Sequence, residues 1–437
     1  MASRRPTAPP RRPKLRGRIL SRLSHLALAL AAWGAAAAGP AWAEPAPVFA
    51  DLLRQASQTA PRLKEAQAGV LEAQGLAQQA RARPNPVVDL QTENFAGQGP
   101  YKGTNLAETT VSVAQTLELG GKRSTRISAA KAEVSAAEAR NRQAAADFAY
   151  DLALAYAGAE AAQARADLAD QALKRSQDDL RVSRALVEAG REANLRLVTA
   201  QAAEASTRAN AEAARADAVE ALARLSALAG ASQPYTSLAG GLLSAPAAPE
   251  TADGVPPADM PALQVARAER EAAGRQVVAE RRRAAPDVTA SLGVRRLNGQ
   301  GFGGDDATAV IAGVSLPFPV FDRNRGNVAA ASARASAADA RFEDARLRAE
   351  ADWRSARIQT DAAVSRVAAS QQSEAAAEEA YRLARVGYES GKTPLVEVLN
   401  AQRALTDARG TTLDARVARV RAQAAMARLA GRAPFGE

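Results

Sequence analysis

The chain makes the same abrupt change of pattern twice, about 200 residues apart. An alternating stretch with Val111, Val113, Leu117 and Leu119 on one side runs into "TLELGGKRSTRISAAKAEV" (116–134) and there turns into a long Ala-rich run. The change recurs in "GVSLPFPVFDRNRGNVAAASARA" (313–335), where Val310, Ala312, Val314, Leu316 and Phe318 form the apolar side of the alternating part. Alternation with period two marks a strand with two unlike faces, and a sustained Ala-rich run marks a helix. The fold has to join short strands to very long helices, and to do so twice.

Other pairs of segments share the spacing. "APRL" (60–63) is echoed by "MPAL" (260–263), and Pro86 by Pro286. "EAGREANLRLVTAQ" (188–201) is echoed by "ESGKTPLVEVLNAQ" (389–402), and "LSALAG" (225–230) by "MARLAG" (426–431). The offset stays between 200 and 202, and Ala richness alone does not fix Pro and Gly positions, so the chain is a tandem duplication. The first repeat is 44–230: a helix over 51–83, a strand hairpin over 86–119, a long helix over 122–186, a tip turn over 187–194 and a return helix over 195–229. The second is 262–431, with the corresponding spans 262–283, 286–321, 323–386, 387–394 and 395–430. A Gly/Pro/Ala-rich connector (231–261) joins them, and 432–437 is a short tail.

A helix of about 64 residues is about 95 Å long, longer than a globular domain is wide. Phe148, Leu152, Ala155, Ala159, Ala162, Ala166, Ala169 and Leu173 form a seam in steps of four and three, mostly of Ala. That spacing is the heptad spacing of packed helices, and the small residues bring neighbours close. The strand segments have one apolar face and one small or polar face, as in Val288, Ala290, Leu292 and Val294 against Asp287, Thr289, Ser291 and Gly293. Such patterning suits a membrane barrel or a small soluble sheet. The Gly-rich hairpin loops (96–107 and 295–306) and the leader described next favour the barrel. Four strands cannot close one, so copies of the chain must pool strands: two copies give eight, three give twelve.

Residues 1–43 read as a cleaved signal peptide, with a basic start, the apolar "LALALAAWGAAAAG" and "AWA" before the cleavage point at Ala43. Eight of the 57 Lys and Arg and none of the 47 Asp and Glu lie there, so the remainder carries a net charge of only +2. The basicity belongs to export, which removes the case for a nucleic-acid partner. The chain has no Cys, and its one His, His25, lies in the leader. Disulfides, soft metal ligands, imidazole acid–base chemistry and a thioether lipid anchor are therefore not expected of the exported protein, nor is a cofactor or an enzymatic activity.

"ARPNPVVDLQTENFAGQGPYKG" (82–103), "AETTVSVAQTLELGGKR" (107–123), "FPVFDRNRGN" (318–327) and the paired "GREANLRLVTAQ" and "GKTPLVEVLNAQ" resemble the outer-membrane factor (TolC-like outer membrane efflux protein) family. The nearer likeness is to its CzcC-type branch, which serves cobalt–zinc–cadmium efflux pumps. The resemblance implies a mainly α chain with a β-barrel portion. A homotrimer with four strands per chain would form a barrel in the outer-membrane lipid of a Gram-negative bacterium, continued by a periplasmic α-helical barrel. It also implies a passive duct for divalent heavy-metal cations, coupled to a periplasmic adaptor (membrane fusion) protein and an inner-membrane resistance–nodulation–division pump. On this basis Gly120, Gly121, Lys122 and Arg123, with Asp322, Arg323, Asn324 and Gly326, form the barrel-to-tunnel junction. Gly190, Gly391 and Pro394 mark the tip turns that face adaptor and pump, and Glu397, Asn400, Arg196 and Thr199 line the periplasmic gate. The gate departs from the family's acidic ring, since Asn400 replaces a carboxylate and Arg196 has the opposite sign. A related duct for drug efflux or type I protein secretion shares this fold, and a periplasmic coiled-coil adaptor or scaffold is the alternative from another class.

Overall fold

The computed structural model describes residues 45–244, 258–299, 305–390 and 392–435. The leader, residues 245–257 of the connector, and Gly391 lie outside the described residues. The elements run α1 (Phe49–Thr59), α2 (Pro61–Gln79), β1 (Val87–Glu93), β2 (Glu108–Leu117), α3 (Lys122–Glu188) and α4 (Asn194–Ala229). The second half follows with α5 (Pro261–Arg283), β3 (Val288–Leu297), β4 (Ala307–Ser315), α6 (Arg325–Glu389) and α7 (Leu395–Leu429).

Each half runs from helix through a strand hairpin to a long helix and a return helix, and the first has one break that the pattern did not show. The helix expected over 51–83 is two helices, because Pro61 has no N–H and forces Ala60 into an extended conformation (φ −60°, ψ 126°). The second-half helix begins with its proline, Pro261, at the first position, where the missing N–H costs nothing, and it runs unbroken. The long helices α3 and α6 span 67 and 65 residues, about 100 Å each.

Among the described residues the four strands form one antiparallel sheet in the order β1-β2-β3-β4, leaving β1 and β4 as edges. The strands stop at Leu117 and Ser315, short of the hairpin limits 119 and 321. In the second half Pro317 and Pro319 end the ladder by removing donors.

The seam on α3 is buried from Phe148 to Ala166, apart from a half-buried Ala155, and half-buried at Ala169 and Leu173. α3 packs on α2 and α5, on α4 and on α7, while α6 packs on α5 and α7. The main core lies where Ala46, the connector and four helices meet: Phe49, Leu52, Phe148, Leu152, Leu225 and Val420 are all buried there. Tyr156 stacks edge-on against Phe49 (centroids 5.8 Å apart) and its hydroxyl donates to the Gly240 carbonyl at 2.8 Å. No helix among the described residues is long and apolar enough to cross a membrane.

Candidate functional site

The strand register sorts the sheet into two unlike faces. On one, the cross-strand rows include Val88–Val113–Leu292–Ala312 and Leu90–Val111–Val294–Val310, with Thr92–Thr109–Arg296–Thr308 beyond them towards the hairpin loops. On the other they are Asp89–Ser112–Gly293–Ile311, Gln91–Thr110–Arg295–Ala309 and Glu93–Glu108–Leu297–Ala307. Most of the apolar rows lie exposed, including Val88, Leu90, Leu292 and Val310. Two rows of bare aliphatic side chains form a contiguous apolar surface that water does not favour.

The polar face carries its own electrostatic constraint. Glu93 and Glu108 face each other directly across β1 and β2, a destabilising arrangement for like charges. Arg295 of β3 lies between them, 2.8 Å from Glu108 and 3.6 Å from Glu93, and its Nε donates to the Thr110 hydroxyl at 3.1 Å. Gly293 is needed in the same strand, since a Cβ there would come 2.6 Å from both the Ser112 Cβ and the Val111 carbonyl.

The junction of sheet and helices is a ring of hydrogen bonds. Gly120 (φ 66°) and Gly121 (φ 76°) take the left-handed backbone that swings the chain from β2 into α3. Lys122 pairs with Asp287 at 2.8 Å, and Asp287 also accepts the Leu119 N–H at 3.3 Å, tying the start of α3 to the start of β3. Arg123 donates twice to the Arg81 carbonyl, at 2.8 and 3.0 Å. Arg126 donates to the carbonyls of Ala80 and Ala82 at 3.0 Å each. These carbonyls lie at and just past the closing turn of α2, whose N–H groups reach back to Leu76, Gln78 and Gln79 and so leave them to the arginines. Arg126 also forms a two-pronged pair with Glu118, and that hydrogen bond raises its guanidinium further above its ordinary pKa.

The second half solves the same problem with one asparagine. Asn324 takes the left-handed backbone (φ 56°) and donates to the Glu280 carbonyl at 2.8 Å and to its carboxylate at 2.9 Å, while Asp322 accepts the Asn324 N–H at 2.8 Å. Gly326 is already inside α6, so the swing lies at Asn324 and the helix starts at 325. Arg323 is exposed.

At the far end, α3 stops in a Schellman turn. The Gly190 N–H (φ 68°) donates to the Val187 carbonyl at 2.9 Å and the Arg191 N–H to Leu186 at 2.9 Å. In the second hairpin Pro394 is the N-cap of α7, and the Lys392 N–H reaches back to the Gly387 carbonyl at 2.8 Å. Arg196 pairs with Glu192 at 2.8 Å and approaches the Ser183 hydroxyl at 3.4 Å, while the Thr199 hydroxyl donates to the Arg196 carbonyl at 3.2 Å. Both of these first-half candidates are therefore engaged by their own hairpin. Glu397 and Asn400 are exposed on α7, with Glu397 in its first turn. There its charge complements the helix dipole. Sequence reasoning passed over Arg126, Glu118, Asp287 and the Glu93–Arg295–Glu108 bridge. The signal for the last lies in the strand register rather than in a motif.

Residues 52–231 and 258–432 match the family described as Outer membrane efflux protein, one segment on each repeat. The chain is 45% identical over 401 residues to the Nickel-cobalt-cadmium resistance protein NccC of Alcaligenes xylosoxydans xylosoxydans, covering 92% of this chain and 90% of that protein. It is 45% identical over 311 residues to the Nickel and cobalt resistance protein CnrC of Cupriavidus metallidurans (71% of this chain, 73% of that protein). The Cobalt-zinc-cadmium resistance protein CzcC of the same organism is more distant, at 29% over 337 residues (76% and 77%). The fold is similar to those of CusC (TM-score 0.72, 20% identity, 87% of this chain and 91% of that one) and of the open MtrE outer membrane channel of Neisseria gonorrhoeae (TM-score 0.73, 20% identity, 88% and 89%).

Proposed function

The chain belongs to the outer membrane efflux protein family, and on that premise we propose that it is the passive outer-membrane duct of a tripartite pump for divalent transition-metal cations. The observation that carries the reading is the two-faced sheet with two open edges. An open edge in lipid leaves backbone groups unpaired, so the edges must be closed by further strands, and three copies supply twelve. The apolar rows then face lipid and the rows bearing Asp89, Glu93, Glu108 and Arg295 face a water-filled lumen. The paired long helices continue that lumen into the periplasm. The protein is a channel component and not an enzyme.

The substrate class rests on the 45% identity to proteins named for resistance to nickel, cobalt and cadmium. Past residue 43 the chain has neither Cys nor His. Discrimination among metals then belongs to an inner-membrane pump of the resistance–nodulation–division class and a periplasmic adaptor, and the duct passes what they deliver. Residues 1–43 direct export and are cleaved, without a lipid anchor, and the two repeats contribute equivalent halves of each subunit's wall. The tip turns around Gly190, Gly391 and Pro394 meet adaptor and pump. Exposed Leu195, Val198, Val386 and Val396 offer apolar surface there.

Deletion of the gene, followed by growth on nickel, cobalt, cadmium and zinc and on a panel of drugs, tests the substrate class. Loss of metal tolerance restored by the intact gene is expected. Unchanged metal tolerance with new drug sensitivity overturns the metal reading in favour of a drug duct, and a water-soluble product without conductance overturns the duct.

A further inference from the structure

Strand β4 ends at Ser315, but its apolar row does not. Leu316 and Phe318 continue the alternation of Val310, Ala312 and Val314, and Val320 and Phe321 follow. Phe318 is 84% and Phe321 100% exposed, the extremes among the large apolar side chains of the described residues. The first-half counterpart is less exposed, at 49% for Leu117 and 45% for Leu119. There the equivalent Leu117-Glu118-Leu119 carries a carboxylate bound to Arg126.

The backbone of this loop also avoids water's usual role. Pro317 and Pro319 have no N–H, and the Val320 N–H donates to the Phe318 carbonyl at 2.9 Å. Three of the five donor positions from 317 to 321 are thus removed or satisfied locally, which lowers the cost of leaving water. Beyond Asp322, whose carboxylate accepts the Asn324 N–H, come exposed Arg323 and Arg325, and α5 ends in exposed Arg281, Arg282 and Arg283, the last paired with Glu280 at 3.1 Å. An apolar loop flanked by cations matches the boundary between acyl chains and phosphate headgroups.

We propose that Pro317–Phe321 is a wedge seated in the periplasmic leaflet of the outer membrane, with Phe318 and Phe321 among the acyl chains and the flanking arginines at phospholipid phosphates. The wedge extends the lipid-facing rows of the sheet below the last ladder bond, and it rests on the barrel reading given above. It holds each subunit at a fixed depth where sheet passes into helix.

The test places single tryptophans, F318W, F321W and V310W, in the intact protein reconstituted into phosphatidylethanolamine–phosphatidylglycerol vesicles, and subtracts the emission of the parent. Lipids brominated near the headgroup or near the chain end, and aqueous acrylamide, serve as quenchers. F318W and F321W are expected to emit at blue-shifted wavelengths and to lose most of their intensity to the shallow bromines, while V310W responds to the deep ones. If V310W is quenched by lipid but F318W and F321W respond only to acrylamide, or to no quencher because a neighbouring subunit covers them, the wedge is overturned and the duct stands. If V310W is not quenched by lipid either, the barrel reading itself fails. F321C, the single thiol in a chain without cysteine, carries a nitroxide whose accessibility to oxygen against a water-soluble chelate reads the same depth without an added indole. Chelate-dominated relaxation there contradicts the wedge.

Discussion

Glu160 shows how much one side chain in these Ala-rich helices can carry. It projects from α3 to the connector and accepts the N–H groups of Leu242 at 2.6 Å and Leu243 at 3.1 Å. Gly241 leaves the space, since a Cβ there would collide with the carboxylate. Burial pushes the Glu160 carboxyl above its usual range, and the two N–H groups pull it only partly back. A raised folded-state pKa means that the folded chain holds the proton more tightly than the unfolded one. The contribution is therefore fully present below the unfolded pKa and is lost as pH rises through the folded value. The stability of the parent relative to Glu160→Gln, measured by urea denaturation, should move in the parent's favour as pH falls from about 7 to about 4. A difference that stays flat with pH would contradict the assignment. The sequence offered no sign of this residue. Its partners are 82 and 83 positions away in a stretch read as plain connector, and only the folded connector brings their donors to it.

At the level of elements, both sheet-to-helix junctions depend on left-handed residues, yet they use different chemistry. Asn324→Ala removes two hydrogen bonds to Glu280 and leaves a β-carbon at φ 56°, and should destabilise by about 1–3 kcal/mol. Asn324→Gly relieves the backbone but not the lost bonds, so its urea midpoint should fall between those of parent and Ala variant. An Ala variant as stable as the parent would rule out the asparagine as the junction's fastener. Gly120→Ala should be at least as costly, because its Cβ would lie 2.6 Å from that of Ala285 as well as at φ 66°. The duplication, the strand faces and the long helices were legible in the sequence because periodicity and repeated Gly and Pro positions record them. The division at Pro61 was missed because an Ala-rich pattern continues smoothly across it. The early end of β4 was missed because its apolar alternation runs on past the last ladder bond. The role of Arg126 was missed because it looks like any helix arginine until the end of α2 is seen beside it.

For the whole molecule, charge along the lumen is the property that can be measured. Arg196 is bound to Glu192, whereas Glu397 is an exposed carboxylate in the first turn of α7. Three such carboxylates around a narrow mouth would focus negative potential and favour cations. Single-channel recordings under a salt gradient should show cation preference reduced in Glu397→Gln and retained in Arg196→Ala. Equal selectivity in parent and Glu397→Gln would move the gate elsewhere. The gate candidates could be proposed from the sequence by resemblance, but the engagement of Arg196 by its own hairpin could not. One feature of the core reaches further than transport. Phe49, near the start of the described chain, touches Tyr156 of α3 and Phe435 at the end, and the Ala46 backbone pairs with Ser237 and Ala239 of the connector. The residues before α1, those after α7 and the described part of the connector thus converge on one core. Phe49 shares it with Ala229, and Gly431 lies against Pro261, so each repeat begins and ends in nearly the same place. A unit of that kind can be copied head to tail with only a short splice.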